Sequence, residues 1–236
     1  MRGEFMEHSL GLAPFVKQYQ VIRSNRKSVG FHVQKDGALI VRVPFLISRK
    51  NLESIVKEYS GWIERARQRV LSRPQALPKQ FQEGERFWWM GEKIDLKILD
   101  HAEKPFYFFG GTFFLWKTFQ SRAKPLMTKW YREQAQSYLP DRVKYFAAKA
   151  GFAAPSVSIN QAKSRWGSCS SRGKINLSWR VMMAPMDVID YIVAHEVAHL
   201  RYQNHARGFW NFVAELTPHY RSSVQWLKQH EWEMEF

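Results

Sequence analysis

The sequence predicts an α+β fold, with a basic, β-rich lobe carrying one long helix ahead of a C-terminal part in which a histidine-bearing helix lies beside a small sheet. Two patterns carry that reading. Short β-branched and aromatic runs, punctuated by glycine and proline, recur through the first half. Apolar residues at helical spacing (Val188, Ile189, Ile192, Val193, Val197, Ala198, Leu200) then organise residues 187–201. The lobe is expected over residues 6–120 and the histidine-bearing domain over 121–236, packed as one compact unit. Met1 to Phe5, ahead of Met6, read as a vector remnant outside the fold.

Taken in order, strands are expected at 18–22, 29–33 and 38–43, the last two joined by a hairpin turn at Asp36-Gly37. One helix should follow, because Leu52, Ile55, Val56, Tyr59, Ile63, Ala66 and Val70 make a single apolar stripe. After a loop bracketed by Pro74 and Pro78, residues 86–90, 93–99, 106–109 and 112–116 read as strands joined at Gly91 and Gly110-Gly111. Their contiguous aromatics belong in a core. A further amphipathic helix spans 121–139 until Pro140 interrupts it. Strands at 157–160, 165–168 and 174–179 place a short sheet directly before the histidine helix, and helices at 209–216 and 220–231 should pack Trp210, Phe212, Val213, Val224 and Leu227 behind it. No repeat or low-complexity tract is visible.

The chemistry is concentrated in His195-Glu196-Val197-Ala198-His199, expected mid-helix with Asp187 as N-cap. Histidines at i and i+4 share a helix face, so His195 and His199 can offer two imidazole nitrogens to one ion. Glu196, about 100° round the helix, reaches a water on that ion without being a ligand. His205 would complete three protein ligands and leave the fourth tetrahedral position to water, the hallmark of a catalytic Zn²⁺ site with one ion per chain. Glu215, on the following helical segment, is the rival third ligand. Tyr202 stands where the pattern HExxHxxGxxH has glycine, so the turn is expected at Gln203 and Asn204, with Asn204 suited to the left-handed region. Donors for a developing oxyanion could come from Tyr202, Arg207, His219 or Arg165.

Composition narrows the setting. At 236 residues and 45% hydrophobic the chain can bury a core, and no apolar run approaches the length needed to span a bilayer. The N-terminus lacks the pattern of a secretory signal, and the single Cys169 excludes an intramolecular disulfide, so a cytoplasmic location is expected, with Cys169 a packing residue. Residues 1–150 carry 27 Lys and Arg against 14 Asp and Glu, whereas residues 151–236 carry 9 against 7. That imbalance predicts attraction of DNA or another polyanion to the N-terminal part, through Arg23, Arg26, Lys27, Lys35, Arg65, Arg67, Arg69 and Arg73.

Several motifs in order resemble a known family: Lys163-Ser164-Arg165-Trp166-Gly167-Ser168-Cys169-Ser170, Gly173-Lys174-Ile175-Asn176-Leu177, Val188-Ile189-Asp190-Tyr191, the paired histidines, Asn204-His205 and Phe209-Trp210. Together they resemble the YgjP-like predicted metal-dependent hydrolases, relatives of the SprT-like and WLM-type metallopeptidases, firmly over residues 156–220 and more loosely back to residue 18. The resemblance implies a zincin-like fold, metal ligands at His195, His199 and His205, and a catalytic Glu196. Ser178 and Ala206 depart from the family's usual Asn and Ser. The expected activity is therefore that of a zinc metallopeptidase on a polypeptide substrate, with Glu196 as general base and then general acid. A zinc amidase on a small molecule and a nucleic-acid-binding protein with an inactive zinc site are the alternatives.

Overall fold

The computed structural model describes residues 4–7, 18–34, 36–72 and 78–236. The chain divides into two compact units, Met1–Gln75 and Ala76–Phe236, rather than one unit with a boundary near residue 120. Core composition explains the difference. Leu96, Phe113 and Leu115 of the aromatic sheet share one buried cluster with Met127, Tyr131 and Trp179, whereas Val21, Val41, Val43, Leu52, Val56 and Ile63 form a second.

In the first unit, β1 (Glu4–Glu7), β2 (Gln18–Ser24), β3 (Gly30–Val33) and β4 (Leu39–Pro44) form a sheet in the order β1-β2-β4-β3. Glu4 lies opposite Val21 and Phe5 opposite Gln20, so two residues expected outside the fold are part of the sheet. β2 and β4 are parallel, and β3 and β4 form a hairpin that closes over Gly37 at φ 83°, with Asp36 accepting from the Ala38 amide. The single predicted helix is two, α1 (Arg49–Glu58) and α2 (Ser60–Leu71). The break falls at Tyr59 (φ −89°, ψ 4°), just ahead of Ser60-Gly61, a pair of weak helix formers. Leu52, Val56 and Ile63 keep the buried stripe, but Tyr59 is 45% exposed and leaves it.

The second unit opens with β5 (Arg86–Trp89), β6 (Glu92–Leu99), β7 (Phe106–Phe109) and β8 (Thr112–Trp116), in the order β5-β6-β8-β7. Its central pair is parallel and its outer pairs antiparallel, the same topology as the first sheet. The chain thus repeats a four-strand arrangement where no sequence repeat was visible. α3 (Ala123–Lys149) runs unbroken through Pro140. An interior proline costs about 3 kcal/mol, but Met127, Tyr131, Ala135 and Leu139 before it and Val143, Phe146 and Ala147 after it are all buried. Burying large apolar side chains, at roughly 1.5–3 kcal/mol each, outweighs that cost.

A three-stranded sheet in the order β10-β11-β9 follows, from β9 (Val157–Asn160), β10 (Gly167–Cys169) and β11 (Ile175–Ser178), with β10 at an edge. The helices α4 (Met186–Ala198), α5 (Arg207–Leu216) and α6 (Tyr220–His230) complete the unit. Two contacts fix α4. The β5–β6 turn donates Met90 and Gly91 amides to the Met182 and Met183 carbonyls, and Pro185 packs so closely on Gly91 that a Cβ there would lie 2.6 Å from it. Arg142 of α3 makes two bonds, 2.8 and 2.6 Å, to the Asp190 carboxylate of α4. Pro185 occupies the N-cap, while Asp187 sits in the first turn and not at the cap.

Candidate active site

Val188, Ile189, Ile192, Val193, Val197 and Ala198 are buried, so α4 is anchored along its length. His195 and Glu196 lie in its last turn and His199 caps it, so the motif ends the helix where a mid-helix position was expected. The chain leaves by tightening. Leu200 and Arg201 donate to carbonyls three residues back, those of Val197 and Ala198, and Tyr202 also donates to Ala198. Among the described residues, positive φ outside glycine occurs only at Phe81 and Met90, so Asn204 does not take the left-handed conformation predicted for it. A tightened helix end needs no left-handed residue, which is why tyrosine is tolerated at position 202. Asn204 instead accepts the Ala206 amide through its side chain (3.2 Å) and turns the chain into α5.

That turn returns His205 to the helix end, with its Nε2 3.1 Å from Nε2 of His195. One ligand atom each from His195, His199 and His205 lies within 4.8 Å of the others. A tetrahedral ion with bonds of 2.0–2.1 Å spaces its ligands about 3.3 Å apart, so the donor set fits a bound metal. The histidine chemistry fits too. Nδ1 of His199 is 2.9 Å from the Tyr202 carbonyl, a bond in which Nδ1 donates and Nε2 is left as a lone-pair donor. Burial, with smaller effects of His199 and His205, lowers the His195 pKa to about 4, so its ring is neutral near pH 7. Phe209 lies against all three rings at 4.7–4.9 Å, and Trp210 stacks on His205 at 5.8 Å.

Glu196 is 6% exposed, and burial raises its pKa to about 7 while Arg165 pulls it the other way. Its carboxylate lies against Gly167 of β10: a Cβ there would sit 2.6 Å from both Cγ and Oε1. The edge strand is therefore seated on the acid itself. Trp166 accepts from Ser178 and Ser170 donates to Lys174, so the antiparallel alternation turns the main-chain groups of Gly167 and Cys169 to the open edge.

The remaining expected residues scatter. Tyr202 contributes its carbonyl, while its ring packs on Phe212 and against Gly208. Arg207 and His219 are exposed at the starts of α5 and α6, and Glu215 is exposed on α5 outside the histidine triad. Arg165 is exposed, and its charge acts on Glu196. Burial and the nearby Glu196 raise the Cys169 thiol pKa, which suits packing rather than nucleophilic attack. Sequence reasoning missed Tyr191 and Tyr220. The Tyr191 ring lies 5.9 Å from His195, and Tyr220 stacks on both Tyr191 and Trp210. Burial, then Glu196 and Tyr220, push the Tyr191 hydroxyl up to about 12. Tyr191 is four residues before His195, a spacing that alone places it on the metal-facing side.

Three imidazoles facing one point beside a buried carboxylate make the site of a metal-dependent hydrolase. The chain belongs to the YgjP-like family, whose metallopeptidase-domain model matches residues 27–230. It is also similar to the crystal structure of abylysin from Pyrococcus abyssi, a metallopeptidase zymogen, at 23% identity and a TM-score of 0.36, over 39% of this chain and 93% of that one. No curated protein matches the chain. Among the described residues no helix is long and apolar enough to cross a membrane.

Proposed function

We propose that this chain is a zinc-dependent peptidase that cleaves an extended polypeptide laid along β10. The observation that carries the proposal is the seating of Glu196 on Gly167, because it joins the acid, the histidine triad and an open strand edge in one place. A substrate strand can pair with the outward main-chain groups of Gly167 and Cys169, which brings its backbone carbonyls past Glu196. His195, His199 and His205 would hold the ion, which when bound acidifies water and polarises the scissile carbonyl. Glu196, with a pKa near 7, takes the proton of the attacking water and delivers it to the departing amine nitrogen. Tyr191, whose ring lies beside His195, is the hydroxyl that would donate to the developing oxyanion. The single cysteine supports a cytoplasmic setting. The test is cleavage of an unfolded protein such as reduced casein by zinc-loaded wild type and Glu196→Gln. Loss of roughly 100-fold or more with zinc content unchanged is expected, whereas equal activity in the two proteins would overturn the assignment of Glu196.

A further inference from the structure

We infer that the exposed face of α2 is a binding surface for single-stranded nucleic acid. On a helix of 100° per residue, Trp62, Arg65 and Arg69 fall within about 60° of one another. All three are exposed, Trp62 by 46%, and Tyr59 stands at the head of the same face. Phe31, on edge strand β3, extends the row, with its ring 5.3 Å from Tyr59 and 6.2 Å from Trp62. The surface is thus a platform of three rings flanked by two guanidinium groups. Arg65 folds back over Gly61, its Nη1 3.5 Å from where a Cβ would stand. Among the described residues no ion pair joins Arg65 or Arg69 to a carboxylate, and Glu64 accepts from Gln68 (2.8 Å).

Charge and ring chemistry together select the occupant. Residues 1–75 carry 14 Lys and Arg against 6 Asp and Glu, which favours a polyanion. Among the described residues, five of the eight exposed large apolar side chains, Phe45, Leu46, Tyr59, Trp62 and Leu71, lie in this unit. Exposed rings beside cations match unpaired bases, which stack on aromatics while their phosphates meet arginine. A duplex hides its base faces, and a sulfated polysaccharide has none. Arg23, by contrast, is committed to the fold: it donates to the Phe45 and Ile47 carbonyls at 2.7 and 3.2 Å. The inference does not depend on the metal site.

The experiment is fluorescence anisotropy of a labelled 12-nucleotide oligo(dT) with the full chain across a range of salt concentrations. Trp62→Ala should weaken binding by roughly 5- to 150-fold, the scale of one lost base stack. Arg65→Ala/Arg69→Ala should flatten the slope of log K against log salt by about 1.4, from two phosphate contacts at about 0.7 each. Trp62→Phe, which keeps a ring, should bind within a few-fold of wild type and guards against a Trp62→Ala protein that fails to fold. Absence of binding at low salt, binding unchanged in both the alanine variants, or equal affinity for heparin and oligo(dT) would each overturn the inference.

Discussion

Gly167→Ala is the substitution that tests the site most sharply. The new Cβ would meet Glu196 Cγ and Oε1 at 2.6 Å and Cδ at 2.8 Å. Gly167 has no positive φ, so the backbone itself accepts alanine, and the three nearest atoms the new Cβ meets all belong to the acid. Reaching an ordinary contact of 3.4 Å from 2.6 Å takes a displacement of about 0.8 Å. Rotating the carboxylate alone cannot supply it, because Cγ is as close as Oε1 and Glu196 is held in a buried helix. A displacement near 1 Å in a catalytic group costs on the order of 100-fold in rate. Overpacking adds about 1–3 kcal/mol of lost stability. The assay is casein hydrolysis by protein whose zinc content is measured in parallel. The expected outcome is a fall of about 100-fold in kcat with about one zinc retained per chain, as the histidines are not touched. Activity within a few-fold of wild type would refute the reasoning that Gly167 sets the position of Glu196.

Three further outcomes are expected. For metal-free protein, Glu196 titrates near pH 7 when folded against 4.5 when unfolded, so it favours the folded state below pH 4.5 and that contribution is lost as pH rises through 7. Glu196→Gln should therefore match wild type in urea unfolding at pH 4.5 and exceed it by about 3 kcal/mol at pH 8; a pH-independent difference would contradict the burial of the carboxyl. Arg142→Met should destabilise by about 1–3 kcal/mol, because it strands the partly buried Asp190 on α4, and a change under 0.5 kcal/mol in urea unfolding would show the pair to be idle. Arg23→Ala should lower stability by about 1–2 kcal/mol yet leave the oligo(dT) salt slope unchanged, and the reverse pattern would return Arg23 to the nucleic-acid surface.

What was legible in the sequence followed from short-range periodicity. Spacing of three, four and six residues placed the histidines and Glu196, and alternation with turn residues located the strands to within a few residues. What escaped it depends on tertiary contacts. Pro140 reads as a stop, and only the burial of Val143, Phe146 and Ala147 carries α3 past it. Tyr59 reads as stripe, and only the break before Ser60-Gly61 turns it out towards Phe31. The doubled sheet topology was invisible because its copies share only strand order and pairing sense, while one is built on Leu39 to Val43 and the other on Thr112 to Trp116. Gly167 carried no local signal of its role, since the Glu196 side chain it admits lies twenty-nine positions along the chain. Lys35 and Arg73, two of the cations expected on the basic surface, lie outside the described residues.

Metal content, measured by elemental analysis on purified wild type beside His195→Ala and His205→Ala, bears most directly on the central claim. The account predicts about one zinc per chain in wild type and its loss from both variants. Full retention in His205→Ala, or a wild type that binds no zinc, would contradict it.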